Sequence, residues 1–149
     1  MEDLARRQLN ALLKAARRVP TLAKKGPKGP WTAGVALLPS APMRALNKRY
    51  RRKDRPTDVL SFPSPRDFRS RSGYLGDLAI CVPVLRRQAR EQGHAETREL
   101  RVLLVHGLLH LLGFDHEKGP RQAREMGRWE AVLLGRGATR GGLVARSGT

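Results

Sequence analysis

The sequence predicts an α+β domain in which a small mixed sheet of three strands is covered by helices. Three short apolar segments bounded by proline or polar turns are typical of strands, at about 31–38, 57–62 and 75–82. Five longer segments with apolar residues three and four apart are typical of amphipathic helices. The resulting order is helix, strand, helix, strand, strand and three helices, for which a short sheet covered by helices is the expected architecture.

The helices are bounded by proline and glycine signals. They are expected at about 2–18, 42–50, 83–93, 96–112 and 121–134. The segment Pro63–Gly73 carries Arg66, Arg69 and Arg71 and is predicted to be a mobile loop. The residues from Gly135 to Thr149 are rich in Gly and Arg with few apolar side chains, which is typical of a disordered basic tail. We therefore expect a single domain over residues 1–134 followed by a tail over 135–149.

The charge balance points to a polyanionic partner. The 149 residues include 30 Lys and Arg against 13 Asp and Glu, for a formal net charge of +17. A field of this sign attracts polyanions, and nucleic acid is the leading candidate. The alternative is a GC-rich genome, in which Arg accumulates at surface positions without any binding role.

Composition also favours a cytoplasmic, soluble protein. Cys81 is the only cysteine, so an internal disulfide and a multi-cysteine metal site are both excluded. The first residues, Met1–Leu13, lack the apolar core of a signal peptide, and no apolar run approaches the length that spans a bilayer. A monomer without membrane contact is the expectation.

Three of the four histidines fall within eleven residues, at metal-ligand spacing. His106 and His110 lie four apart on the predicted helix 96–112, so both imidazoles project from one face. Gly113 can end that helix in a left-handed conformation, and His116 can then return to the same face. Three neutral imidazoles with an open fourth position are how catalytic zinc is held, although imidazole also suits nickel, copper and iron.

The pattern His-x-x-x-His-x-x-Gly-x-x-His is that of metzincin-type zinc sites with one change. Those sites carry Glu directly after the first histidine as general base, and here that residue is Gly107. A glycine inside a helix costs about 1 kcal/mol relative to alanine, so a packing or access reason is expected. The missing Glu argues against a peptidase. Two interpretations of Asp115 stay open, a partner that orients an imidazole or a turn carboxylate, while His94 is predicted to be a surface residue.

With these residues in hand, the chain resembles the YbeY family of bacterial rRNA maturation endoribonucleases over about residues 10–134. The matching motifs are HGLLHLLGFDH at 106–116, LNKRYRRKDRPTDVLSFP at 46–63, LGDLAI at 75–80 and EMGRWE at 125–130. The resemblance implies a zinc-dependent endoribonuclease of single-stranded RNA, acting in 16S rRNA 3′-end maturation and ribosome quality control, with the small ribosomal subunit as a partner. It also implies a fourth strand ahead of the first helix, where this sequence shows only three.

The resemblance further implies a role in RNA chemistry for Arg51. A guanidinium beside the metal could bind a phosphate bidentately and stabilise developing negative charge. Zinc would polarise a phosphoryl oxygen or lower the pKa of water toward roughly 7, and the nucleophile is either water or the RNA 2′-hydroxyl. No general base is identified. Arg66, Arg69 and Arg71 could follow the RNA backbone.

Tyr50 and Phe62 fit either base stacking or the core. The polar side chains of Thr57, Asp58 and Ser61 are expected to fix the strand and its turn rather than perform chemistry. Two rival functions remain, a non-enzymatic ribosome-assembly factor with structural zinc and a zinc peptidase.

Overall fold

The sheet of the protein is mixed and three-stranded. A computed structural model describes residues 1–135 and 143–146. Its strands are Thr32–Leu38 (β1), Val59–Pro63 (β2) and Tyr74–Cys81 (β3). They lie in the order β1-β3-β2, with β1 parallel and β2 antiparallel to the central β3. The predicted α+β class and the three-stranded mixed sheet are confirmed.

Helices surround this sheet, and the five predicted ones are confirmed with bounds shifted by at most two residues. The α-helices in the described part of the chain are Glu2–Arg17 (α1), Pro20–Ala23 (α2), Ser40–Arg51 (α3), Arg66–Ser72 (α4), Val82–Gln92 (α5), Glu96–Leu111 (α6), Pro120–Leu134 (α7) and Leu143–Arg146 (α8). A 3-10 turn at His116–Lys118 separates α6 from α7. None of the described helices is both long and apolar enough to cross a membrane.

The histidine helix α6 lies at the centre of the core. It packs against α1, α5 and α7 and against strands β2 and β3. Its run Val102–Val105 is fully buried, which is typical of a helix that is apolar all round. Because neighbours contact it on every side, the side chains that α6 presents at its C-terminal end are fixed in position.

The predicted mobile loop Pro63–Gly73 is wrong, because most of it is the helix α4. Gly73 ends this helix in a left-handed conformation with φ of 75°. The guanidinium of Arg69 donates to the carbonyl oxygens of Leu111 and Lys25. These bonds tie α4 to the end of α6, a tertiary contact that local sequence does not reveal.

Part of the predicted disordered tail is also structured. Leu143–Arg146 forms α8, in which the side chain of Val144 is buried. The guanidinium of Arg146 donates to both carboxylate oxygens of Glu99, at 2.7 and 2.8 Å. Three adjacent apolar residues are too few to produce a periodic signal, so this contact was not predictable from the pattern. Residues 136–142 and 147–149 of the predicted tail lie outside the described residues.

Candidate metal centre

Three imidazoles converge at the C-terminal end of α6. His106 and His110 lie one turn apart, with ring centroids 4.8 Å from each other. Gly113 takes a φ of 96°, and the chain turns so that His116 lies 5.1 Å from His106 and 5.5 Å from His110, measured between ring centroids. One ligand atom from each histidine lies within 4.8 Å of the other two. The predicted return of His116 to the helix face thus occurs.

These residues fit a zinc-like ion. Tetrahedral zinc with Zn–N bonds of about 2.0–2.1 Å places its nitrogens roughly 3.3 Å apart, so small side-chain movements would close the triad. Burial, reinforced by His106 and His116, lowers the pKa of His110 to about 4, which keeps its imidazole neutral as a ligand must be. The Nδ1 atom of His116 is buried without a hydrogen-bond partner in the described part of the protein.

A buried carboxylate orients the first ligand. Nδ1 of His106 lies 2.9 Å from Oε2 of Glu130 on α7, and Glu130 is only 1% exposed. Nδ1–H therefore donates to the carboxylate, and Nε2 is left for a metal. Sequence reasoning missed Glu130, although a signal exists. It lies four residues after Met126 and three before Leu133, so it is an acid on the apolar face of its helix.

The triad opens into a cleft of about 910 Å³. Arg51, the last residue of α3, lies at this cleft, and its guanidinium donates to Oε1 of Glu117 at 3.0 Å. Tyr50 is 57% exposed and packs edge-to-face on Phe62, with ring centroids 5.2 Å apart. The cleft thus combines a metal-ligand set, a guanidinium and an accessible aromatic ring.

A family model described as "Endoribonuclease YbeY" matches residues 2–136 of the chain. The chain belongs to the YbeY family. Curated YbeY proteins resemble it over much of its length. The protein "Endoribonuclease YbeY" from Aquifex aeolicus is 49% identical over 62% of this chain and 61% of its own length. The proteins of the same name from Alkalilimnicola ehrlichii and Moorella thermoacetica are 44% and 41% identical, covering 78% and 89% of this chain and 71% and 86% of their own.

A solved structure extends the likeness to the fold. The solution structure of TM1509 from Thermotoga maritima superposes with a TM-score of 0.54 at 28% sequence identity. The match covers 86% of this chain and 79% of that one. The predicted resemblance to the YbeY family is confirmed by these comparisons.

Two further predictions concern Asp115, as an imidazole partner or a turn carboxylate, and His94, as a surface residue. Asp115 accepts a hydrogen bond from the backbone N–H of Glu117 at 2.9 Å, as a turn carboxylate does. The prediction that His94 is a surface residue is wrong. Its Nε2 atom lies 2.6 Å from Oε1 of the fully buried Glu99, and the ring is half-buried. Glu99 precedes His106 by two helical turns, so α6 places both on one face.

Polar residues on and before β2 hold the cleft wall. Asp58 accepts from the N–H of Val59 at 2.7 Å and from the side chain of Gln88 at 3.3 Å. The hydroxyl of Ser61 donates to the carbonyl of Gly107 at 3.2 Å, which ties β2 to α6. These bonds agree with the expectation that the residues of this segment fix the strand.

Packing explains Gly107, the position where a peptidase carries its Glu. A Cβ added there would lie 2.8 Å from Cδ2 of Leu78 on β3. Leu78 is 1% exposed, so it has little room to move away. The helix approaches the sheet closely because this residue has no side chain, and a Glu would not fit without rearrangement.

Proposed function

We propose that the chain is a metal-dependent endoribonuclease that cleaves single-stranded RNA, with zinc held by His106, His110 and His116. The observation that carries the proposal is the convergence of three imidazoles at an open cleft beside Arg51. When bound, zinc supplies a Lewis acid for a phosphoryl oxygen or for an attacking water. The names of the relatives support RNA as the substrate.

Arg51 is the proposed catalytic residue. Its guanidinium would bind the scissile phosphate and stabilise the negative charge that develops on its oxygens. The present partner, Glu117, is 56% exposed at its side chain, so a phosphate can displace it at small cost. Arg51 is 40% exposed and already lies at the cleft, which reduces the reorganisation needed on binding.

Surface features support a path for the RNA away from the metal. The ring of Tyr50 offers an exposed face for base stacking. Pro63 lines the metal cleft, and the next residue, Ser64, lines a second notch of about 390 Å³ together with Lys25 and Arg66. Arg66 has no acidic partner in residues 1–135 and 143–146, whereas Arg69 is committed to two carbonyls.

We further propose that the RNA is the 3′ end of 16S rRNA, presented on the small ribosomal subunit in the cytoplasm, and that the protein works as a monomer. The net charge of +17 and the family support this role. A purely structural zinc is disfavoured, because closed sites use four protein ligands and the described cluster has three histidines facing a cleft. A peptidase is disfavoured by the packing around Gly107.

The test compares substrates and variants on zinc-loaded protein. We expect cleavage of single-stranded RNA, weaker cleavage of the same sequence as a duplex, and none of unfolded casein. Arg51→Ala should lower kcat by about 100-fold or more, the loss typical of one removed charge-stabilising donor. Arg7→Ala removes the same charge from the exposed face of α1 and should leave kcat unchanged. Casein cleavage, or equal loss in both arginine variants, would contradict the proposal.

A further inference from the structure

Two carboxylate side chains are buried in the described part of the protein, one on α6, which also carries His106 and His110, and one on the neighbouring α7. Glu99 on α6 is 0% exposed, and Glu130 on α7 is 1% exposed. A buried carboxylate is stable only when hydrogen bonds or opposite charges replace its lost hydration. Each of these acids contacts one histidine, since Glu99 contacts His94 and Glu130 contacts His106, a member of the triad.

The other partner of each acid comes from α8. The backbone N–H of Val144 donates to Oε1 of Glu130 at 3.0 Å. The guanidinium of Arg146 forms a bidentate pair with Glu99. Yet the family model ends at residue 136, before α8 begins. The segment that completes both buried pairs therefore lies outside the residues that the family model matches.

We propose that α8 is a working part of the metal site. It positions the ligand His106 through the chain of bonds Val144 N–H to Glu130 to His106 Nδ1. Arg146 anchors the segment by its pair with Glu99. Val144 and Arg146 are thus positioning residues, and neither is a ligand. The inference rests on the proposed metal role of His106.

The physical basis is the geometry of one carboxylate with two occupied oxygens. Oε2 of Glu130 accepts from His106, and Oε1 accepts from Val144, so rotation of the carboxylate would break a bond at either end. Without the Val144 donor, Oε1 would remain buried and unpaired, and the carboxylate would rotate or admit water. The imidazole would then lose its fixed orientation. Loss of such supporting hydrogen bonds typically weakens metal binding by about 10- to 100-fold.

The position of α8 agrees with this role. Leu143 and Arg146 both line the cleft into which the imidazoles open. The side chain of Val144 is 2% exposed and touches the surface of α7 at Gly127, where a Cβ would lie 3.5 Å from Cγ1 of Val144. The segment is therefore docked by an apolar contact as well as by its hydrogen bonds.

The experiment compares Val144→Pro with Val144→Ala in the full chain. Both substitutions replace the buried isopropyl group, and only proline removes the N–H donor. Proline is tolerated in the first turn of a helix, where Val144 lies. We expect Val144→Pro to weaken zinc binding by about 10-fold or more relative to Val144→Ala, measured by competition with a chelator of known affinity.

A second readout uses metal-free protein and does not depend on activity. The Nδ1–H proton of His106 should resonate at low field and exchange slowly with water in the wild type and in Val144→Ala. It should broaden or vanish in Val144→Pro. If Val144→Pro does not fold by circular dichroism, Arg146→Gln is compared with the wild type instead. This variant keeps the N–H of Val144 but removes the charged anchor of α8 on Glu99, so zinc binding should weaken because α8 is no longer held in place.

The outcomes separate this inference from the proposed function. Equal zinc affinity and an equal His106 resonance in the two Val144 variants would overturn the role of α8 while leaving the metal site intact. In the Arg146→Gln test, unchanged zinc affinity would overturn it likewise. Failure of the wild type to bind zinc would instead overturn the proposed function.

Discussion

The ion pair between Arg51 and Glu117 makes a quantitative prediction about RNA affinity. The proposed phosphate-binding guanidinium of Arg51 is already paired with a carboxylate of the same chain. Its Nη2 donates one hydrogen bond of 3.0 Å to Oε1 of Glu117. RNA must displace that carboxylate before it can bind Arg51. Glu117→Gln should therefore strengthen binding of single-stranded RNA, because the uncharged amide competes less well for the guanidinium.

The magnitude follows from exposure. The two side chains are 40% and 56% exposed, so the pair is a surface ion pair worth about 0.2–1 kcal/mol. Removing that competition corresponds to about 1.5- to 5-fold tighter RNA binding. The same pair lowers the pKa of Glu117, so the carboxylate is charged and competes at neutral pH.

Fluorescence anisotropy with a labelled single-stranded RNA, on metal-free protein to prevent cleavage, measures the effect. Glu96→Gln is the matched control, because it removes the same charge from another exposed ion pair, with Arg86, outside the cleft. A double-mutant cycle repeats the measurement in the Arg51→Ala background. There, Glu117→Gln should tighten RNA binding no more than the control Glu96→Gln does. If Glu117→Gln tightens binding no more than Glu96→Gln, or keeps its benefit without Arg51, the reasoning is refuted.

Three further substitutions test the packing around Gly107, the pKa of Tyr74 and the hydrogen bond by which Glu130 orients His106. Gly107→Ala should lower the free energy of unfolding, measured in urea, by about 1 kcal/mol. Overpacking against Leu78 destabilises by about 1–3 kcal/mol, whereas the higher helix propensity of alanine stabilises by about 1 kcal/mol. A more stable variant would contradict this prediction. Burial, together with the hydrogen bond to Asp77, raises the pKa of Tyr74 to about 12. The ionisation of tyrosine, followed by ultraviolet absorbance, should therefore lose its step at the highest pH in Tyr74→Phe. An unchanged titration curve would contradict this prediction. Glu130→Gln keeps an acceptor and removes the charge, and should weaken zinc binding by about 10-fold in chelator competition, whereas unchanged affinity would exclude a supporting role.

Periodicity predicted the fold where burial is determined by local pattern. The alternation of apolar and polar residues located α1, α3, α5, α6 and α7 within two residues, because each buries one face or is buried all round. It failed at α4, which has no buried residue and is fixed by the bonds of Arg69 to distant carbonyls. It failed again at α8, since four residues carry no measurable period.

In the candidate site, too, local features could be predicted from the sequence and long-range contacts could not. The spacing of His106, His110 and His116 is local, so the triad could be predicted from a helix and a turn. The partners Glu130 and Glu99 act across 24 and 47 residues of sequence, to His106 and Arg146 respectively, and such pairings are set by how helices pack. Their position on the buried face of a helix, where acids are uncommon, is the signal that could have indicated these two residues from the sequence.

The central claim is that three imidazoles bind one ion and that this ion is needed to cut RNA. The most direct test adds zinc stepwise to metal-free protein while cleavage of single-stranded RNA is followed in the same samples. The account predicts that activity rises in proportion to zinc and stops rising at one ion per chain, with no rise in His110→Ala. Full cleavage without metal, or a rise that persists in His110→Ala, would contradict it.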